Sequence, residues 1–394
     1  MAINLAKYIF DIDDKLKDIF TNEVSTKRQI AVENDIAYAQ DDICKLDIYY
    51  PQEWQVQPKS EQENTTLEPQ EKSNEQGDEQ KESSNSALES ETKDEFDIEK
   101  KSNQSDELNA QLNKEQGNEP KDEPREKPND EQKDEPKIDK TQPKHAVLFN
   151  IHGGAWVTGD KHWRRGQGFI FSDFGLYVIV PNYGLCPQYR YHQGVQHLFL
   201  ALKWITENAE KYNFDLDNVY VSGDSAGAQL ACLIAATVGN NDFRKQLEIP
   251  DFHLAIKGGI LICGAYDISK AVSHIFSDAI VEDMTGYKKS DIEQYPYYEC
   301  LKPTDWIDEK FPDNIFVAYG GRDMFVGGHE KLLFSRLDEF GKHYCAYRAG
   351  GSGEHCFHLF YKHKISRIFY DMAEQYFEQM LSGDLPLHIE EKKL

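Results

Sequence analysis

The chain has 394 residues, with 69 acids against 44 bases and a net charge of −25. Its apolar share is 39%, below the ~45–50% of a packed globular chain, so part of it is expected not to pack. Such an acidic chain lacks the clustered Lys and Arg of a nucleic-acid surface, and no run approaches the ~18 consecutive apolar residues of a membrane span.

The first twenty residues carry Asp11, Asp13, Asp14 and Asp18, a composition unlike that of a secretory signal. Within them Ile9, Ile12, Leu16, Ile19 and Phe20 fit one face of a helix. The seven cysteines are odd in number and include no C-x-x-C pair. That pattern fits reduced thiols in a cytoplasmic protein, not a disulfide frame or a zinc site.

A strand-like alternation runs from Cys44 to Tyr50. The low hydropathy then concentrates between Pro58 and Lys144, with 26 acids, 14 bases and only nine apolar residues. Such a stretch cannot bury enough surface to offset the roughly 1–2 kcal/mol per residue that backbone ordering costs. It reads as a disordered acidic insertion over 58–143, inside a single domain made of 1–57 and 144–394. A long excursion between neighbouring strands is tolerable, because loop closure costs only ~0.6 kcal/mol per doubling of length.

After the insertion the pattern alternates. Strands are expected at His145–Ile151, Leu176–Val180, Val219–Ser222, Gly259–Cys263, Ile315–Tyr319 and Tyr344–Arg348. Helices are expected through Val195 to Asn208, from Ala226 to about Val238, from Glu330 to Phe340, and around Ile365, Phe369 and Tyr376. Strand–helix alternation with continuous apolar strands implies an α/β fold, a mostly parallel sheet covered on both faces. The irregular aromatic stretch from Ile268 to Phe311 breaks this rhythm and is expected to form a small cap over the C-terminal edge of the sheet, where open α/β sheets bind ligands.

Gly223-Asp-Ser225-Ala-Gly227 falls where a strand-like run meets an Ala-rich helix. A serine on such a turn is held in strained backbone with its hydroxyl exposed, and the flanking glycines let strand and helix approach. The helix N-terminus favours negative charge developing there. The alternative is an ordinary Gly-rich turn with a capping serine. His152-Gly-Gly-Ala-Trp156 directly follows the strand ending at Ile151. The amides of Gly153, Gly154 and Ala226 are candidates for an oxyanion hole, with His152 holding the loop. Read by itself, that loop is also explained as a turn whose glycines serve backbone conformation only.

Together the two motifs resemble the α/β-hydrolase superfamily, and within it the hormone-sensitive-lipase-like esterase branch. Pro181-Asn-Tyr-Gly-Leu-Cys-Pro187 is similar to that branch's Asn-Tyr-Arg-Leu-Ala-Pro segment. The resemblance implies a Ser…Asp…His order with Ser225 as nucleophile. It places the acid after the strand ending near Tyr319, at Asp323, and the base after the last strand, at His355. Asp267 rivals Asp323 but also reads as a helix cap, and His358 rivals His355 from a worse position inside the closing segment. Trp156, Tyr183 and Asp224 are candidates for the substrate pocket. For Trp156 packing is an equal alternative, and for Asp224 a structural hydrogen-bonding role. Ala155, Gly184, Cys186 and Gln188 depart from the branch pattern, as does Met324 after Asp323.

The implied activity is cleavage of short-acyl carboxylic esters, small-molecule substrates, by a serine esterase that needs no metal or organic cofactor. Turnover is then expected to fall below about pH 6, where an imidazole base is protonated. The glycine loop also resembles that of kynurenine formamidase-like amide hydrolases. A third reading is a non-catalytic binding protein that engages partners through the acidic insertion.

Overall fold

The computed structural model describes residues 24–55, 143–270, 278–351 and 353–389. The expected N-terminal helix and the acidic insertion up to residue 142 lie outside the described residues.

Among the described residues eight strands form one sheet: β1 (Ile30–Ala37), β2 (Lys45–Pro51), β3 (His145–Ile151), β4 (Tyr177–Pro181), β5 (Phe214–Asp224), β6 (Ile256–Ile262), β7 (Ile315–Gly320) and β8 (Tyr344–Ala349). Their order is β1-β2-β4-β3-β5-β6-β7-β8. The pairs β1/β2 and β2/β4 are antiparallel, and every other pair is parallel. The parallel centre follows from sequences such as Val147 to Phe149 and Val178 to Val180, apolar on both faces and fully buried. Strands β2 and β3 are not neighbours, as the sequence suggested; β4 sits between them and pairs with both.

The helices are α1 (Arg165–Asp173), α2 (Tyr191–Glu207), α3 (Ala209–Tyr212), α4 (Ala226–Thr237), α5 (Asn241–Gln246), α6 (Asp278–Thr285), α7 (His329–Glu339) and α8 (Lys364–Ser382). Helix α8 lays Phe369, Tyr376 and Phe377 on the sheet, where Phe369 and Tyr376 meet the ring of Phe316. No helix among the described residues is long and apolar enough to cross a membrane.

Two elements carry little sequence signal. Strand β1 is a half-buried edge, interrupted at Asp35 (φ 56°), where its register against β2 shifts. Helix α1 contains Gly166 and Gly168, which weaken helix propensity by about 1 kcal/mol each. Tertiary contact explains both glycines: a Cβ would lie 2.6 Å from the Tyr361 hydroxyl at Gly166 and 2.6 Å from the Tyr49 ring at Gly168. The irregular stretch folds as α6 followed by three short 3-10 turns between Lys289 and Trp306. Arg190, at the start of α2, reaches it through the carbonyls of Glu282 and Asp283, and His192 through the Tyr295 hydroxyl.

Candidate active site

The parallel strands all point their C-terminal ends to one edge, and the loops leaving β3, β5, β7 and β8 carry the site. Strand β5 stops at Asp224 and α4 starts at Ala226, so Ser225 alone makes the turn, at φ 55° and ψ −119°. Such a backbone costs on the order of 1–3 kcal/mol in a non-glycine residue and persists only where its surroundings enforce it. Here the Ser225 amide donates to the Ile262 carbonyl at 2.8 Å. The crossing is too close for side chains on its flanks. A Cβ on Gly227 would lie 2.1 Å from the Ile151 carbonyl oxygen, and one on Gly223 would lie 2.4 Å from the Gly227 backbone.

Asp323 follows β7 by three residues. One of its carboxylate oxygens accepts the amides of Phe325 (2.9 Å) and Val326 (3.0 Å), which leaves the other for His355. His355 Nδ1 lies 2.7 Å from that second oxygen, and Nε2 lies 2.8 Å from Ser225 Oγ. The neutral tautomer that satisfies both contacts carries its proton on Nδ1 and accepts the serine hydroxyl at Nε2. Burial pushes the Asp323 carboxyl upward, but the hydrogen bond and charge of His355 and the two amides outweigh it and hold it below the usual carboxylate range. The loops after β7 and β8 are stitched together by Gly321 N–H to Ala349 O (2.8 Å) and Arg322 N–H to Gly353 O (2.9 Å).

The loop after β3 is shaped by its backbone. Gly154 takes φ 124°, with Ala155 and Trp156 at 51° and 61°. Gly153 presses so close to the serine turn that a Cβ would meet the Asp224 carbonyl at 2.6 Å and Ser225 Cβ at 3.1 Å. Among the described residues, the amides of Gly153, Gly154 and Ala226 donate to no backbone carbonyl. His152 braces the loop: Nδ1–H donates to Gly153 O (2.8 Å), the ring stacks on Tyr183, and its carbonyl accepts the Tyr183 hydroxyl (2.9 Å). Burial pushes its imidazole down to about 4.

The three expected pocket residues are all buried: Trp156 at 2% exposure, Tyr183 at 1% and Asp224 at 0%. Asp224 meets Arg164 through two contacts, Nε–Oδ1 at 2.6 Å and Nη2–Oδ2 at 2.7 Å, behind the serine turn. Tyr183 supports His152, and Trp156 Nε1 donates to Gln229 Oε1 at 3.2 Å. Each packs against the walls of the site through these partners. Of the rivals, Asp267 accepts the Ser269 hydroxyl, and His358 is fully buried against Phe357 and Phe369.

Two contributors are not found by motif. Arg164 sits in an unremarkable Trp-Arg-Arg run. Gln229 is a polar residue inside the apolar run of α4, a signal in itself, and it is fully buried. It accepts from Trp156 and donates to the Tyr191 hydroxyl (2.8 Å) and the Cys300 carbonyl (3.1 Å), tying the glycine loop to the cap.

This architecture has known counterparts. The chain belongs to the BD-FAE family, whose model matches residues 136–336, within the α/β-hydrolase superfamily. It is 26% identical over 220 residues to the probable carboxylic ester hydrolase LipM of Mycobacterium tuberculosis, covering 54% of this chain and 49% of that protein. To an acetyl esterase of Salmonella schwarzengrund it is 29% identical over 207 residues, 49% of this chain and 59% of the other. To arylacetamide deacetylase of Bos taurus it is 32% identical over 128 residues, 31% of this chain and 30% of the other. The chain spans about half the length of LipM and of esterase LipQ. In structure it resembles esterase B from Lactobacillus rhamnosis, with a TM-score of 0.65 at 15% identity over 97% of this chain and 96% of that one.

Proposed function

We propose that this chain hydrolyses short-acyl carboxylic esters through Ser225, His355 and Asp323. The observation that carries the reading is the unbroken relay from the serine hydroxyl through the imidazole to a carboxylate fixed by two amides. Ser225 Oγ attacks the ester carbonyl carbon while His355 Nε2 takes its proton. The oxyanion is met by the amides of Gly153, Gly154 and Ala226. His355 then protonates the leaving alcohol, and a water repeats the sequence on the acyl-enzyme to release the acid. Asp323 keeps the Nδ1 proton in place and stabilises the imidazolium. The names of LipM, LipQ and the acetyl esterase support ester cleavage, and the last supports a short acyl group.

The acidic stretch 58–143 is, in this reading, a solvated insertion in one catalytic domain made of 1–57 and 144–394. A reducing cytoplasmic setting fits seven cysteines that are all free thiols.

The likeness to an arylacetamide deacetylase favours amide cleavage as a second reading. A panel of p-nitrophenyl esters of rising acyl length, run beside N-formylkynurenine, separates the two. Highest kcat/KM on acetyl or propionyl esters supports the proposal. Highest kcat/KM on the formamide, or on long acyl chains, refutes it.

A further inference from the structure

We propose that Cys263, Asp323 and His355 form an inhibitory site for a thiophilic divalent cation of the zinc class. The sulfur, a carboxylate oxygen and an imidazole nitrogen of these three residues all lie within 4.8 Å of one another. A tetrahedral zinc centre, with bonds of ~2.0–2.3 Å, places its ligand atoms roughly 3.5 Å apart, so movements of about an ångström close the set. Cys263 directly follows β6, and its amide is fixed by the Ala318 carbonyl at 2.8 Å. Burial, and to a lesser degree the charge of Asp323, push its thiol up, while the amides of Cys356 and Gly320 act in the opposite direction. A crevice lined by Cys263, Tyr266, Asp323, Val326 and Glu330 opens beside it, and Glu330 adds a further carboxylate to the approach.

The consequence follows from the tautomer. A cation binding Nδ1 takes the lone pair that this nitrogen gains on losing its proton. That proton moves through solvent to Nε2, and the thiol proton is released to water as the metal–sulfur bond forms. Nε2–H then donates to Ser225 Oγ instead of accepting from it, so the serine has no base. Asp323, drawn to the cation, no longer holds the Nδ1 proton.

Among the described residues a second group, Asp41, Cys44 and His197, lacks this tautomer exchange. His197 Nδ1 accepts the Gly184 amide at 3.0 Å, so its proton sits on Nε2, which faces Asp41 at 3.1 Å. That proton cannot move to Nδ1, because the Gly184 amide only donates whereas the Ser225 hydroxyl can also accept, so Nε2 of His197 is not freed for a metal.

Cadmium and zinc ions themselves are the probes. Titration of the wild-type chain with Cd²⁺ is expected to give a Cys263-dependent thiolate-to-metal absorption band at one equivalent. In parallel, p-nitrophenyl acetate turnover should be lost and Mg²⁺ should have no effect. Cys263→Ala and Cys263→Ser should both keep basal turnover within about twofold and weaken inhibition at least about tenfold. Their melting temperatures confirm that they fold. Equal inhibition of wild type and both variants, or no Cys263-dependent band, overturns the site. The band needs no substrate, so it reads the metal site even if the ester reading fails.

Discussion

Arg164 and Asp224 form a buried bidentate ion pair directly behind Ser225, with contacts of 2.6 and 2.7 Å and at most 2% exposure on either side chain. Removing one partner leaves the other charge buried and unpaired, which costs about 3–5 kcal/mol. Arg164→Met is therefore expected to lower the melting temperature sharply, and Asp224→Asn to do the same. A double variant that removes both charges should recover part of the loss. Thermal denaturation of the three variants checks this; additive losses in the double variant would contradict the pairing.

Acid should destabilise the fold through His152. Its ordinary value is 6.5, and burial pushes it down to about 4 in the native state. Between those values the unfolded chain binds a proton that the native state refuses, so stability is fully present above about pH 6.5 and is lost as pH falls towards 4. Asp323, held below its ordinary 3.8, adds a loss only at lower pH still. The melting temperature should fall steadily from pH 7 to pH 4, and His152→Gln should flatten that slope. An unchanged slope in the variant would place the acid sensitivity elsewhere.

The serine turn admits no side chain at 227. Gly227→Ala places a methyl 2.1 Å from the Ile151 carbonyl oxygen, so strand and helix must part. Turnover is expected to collapse even where the chain still folds. Near-normal kcat in this variant, measured beside its circular dichroism spectrum, would contradict the close crossing.

Gln229→Leu removes the oxygen to which the Trp156 indole donates and the amide that donates to the Cys300 carbonyl, a carbonyl that keeps the Tyr191 hydroxyl, and each lost buried hydrogen bond costs about 0.5–1.5 kcal/mol. Because Trp156 ends the glycine loop, kcat should drop further than KM rises. A change confined to KM would assign Gln229 to the cap alone.

Much of the parallel centre was legible in the sequence because strands buried on both faces carry continuous apolar runs, as at Val178 to Val180 and Ile260 to Ile262. Ser225 and the glycine loop stand out because close backbone crossings leave glycine no substitute. Asp323 carries little local signature and His355 only the His355-Cys-Phe357 triplet; both are expected from the chain order that the resemblance implies and from the ends of strands. Strand β1 escapes notice because an edge strand with a bulge at Asp35 needs no apolar alternation. Arg164 escapes because its partner lies sixty residues away. The hydrogen bonds of Trp156, Tyr183 and Asp224 depend on partners that only the folded chain supplies: Gln229, His152 and Arg164.

The most direct measurement is reaction of the intact chain with a fluorophosphonate, followed by peptide mass mapping and p-nitrophenyl acetate assays of Ser225→Ala and His355→Ala. One adduct per chain on Ser225 is expected, strongly slowed without His355, with turnover in Ser225→Ala reduced by several orders of magnitude. An adduct on another residue, or turnover retained in a clean Ser225→Ala preparation, would contradict the proposal.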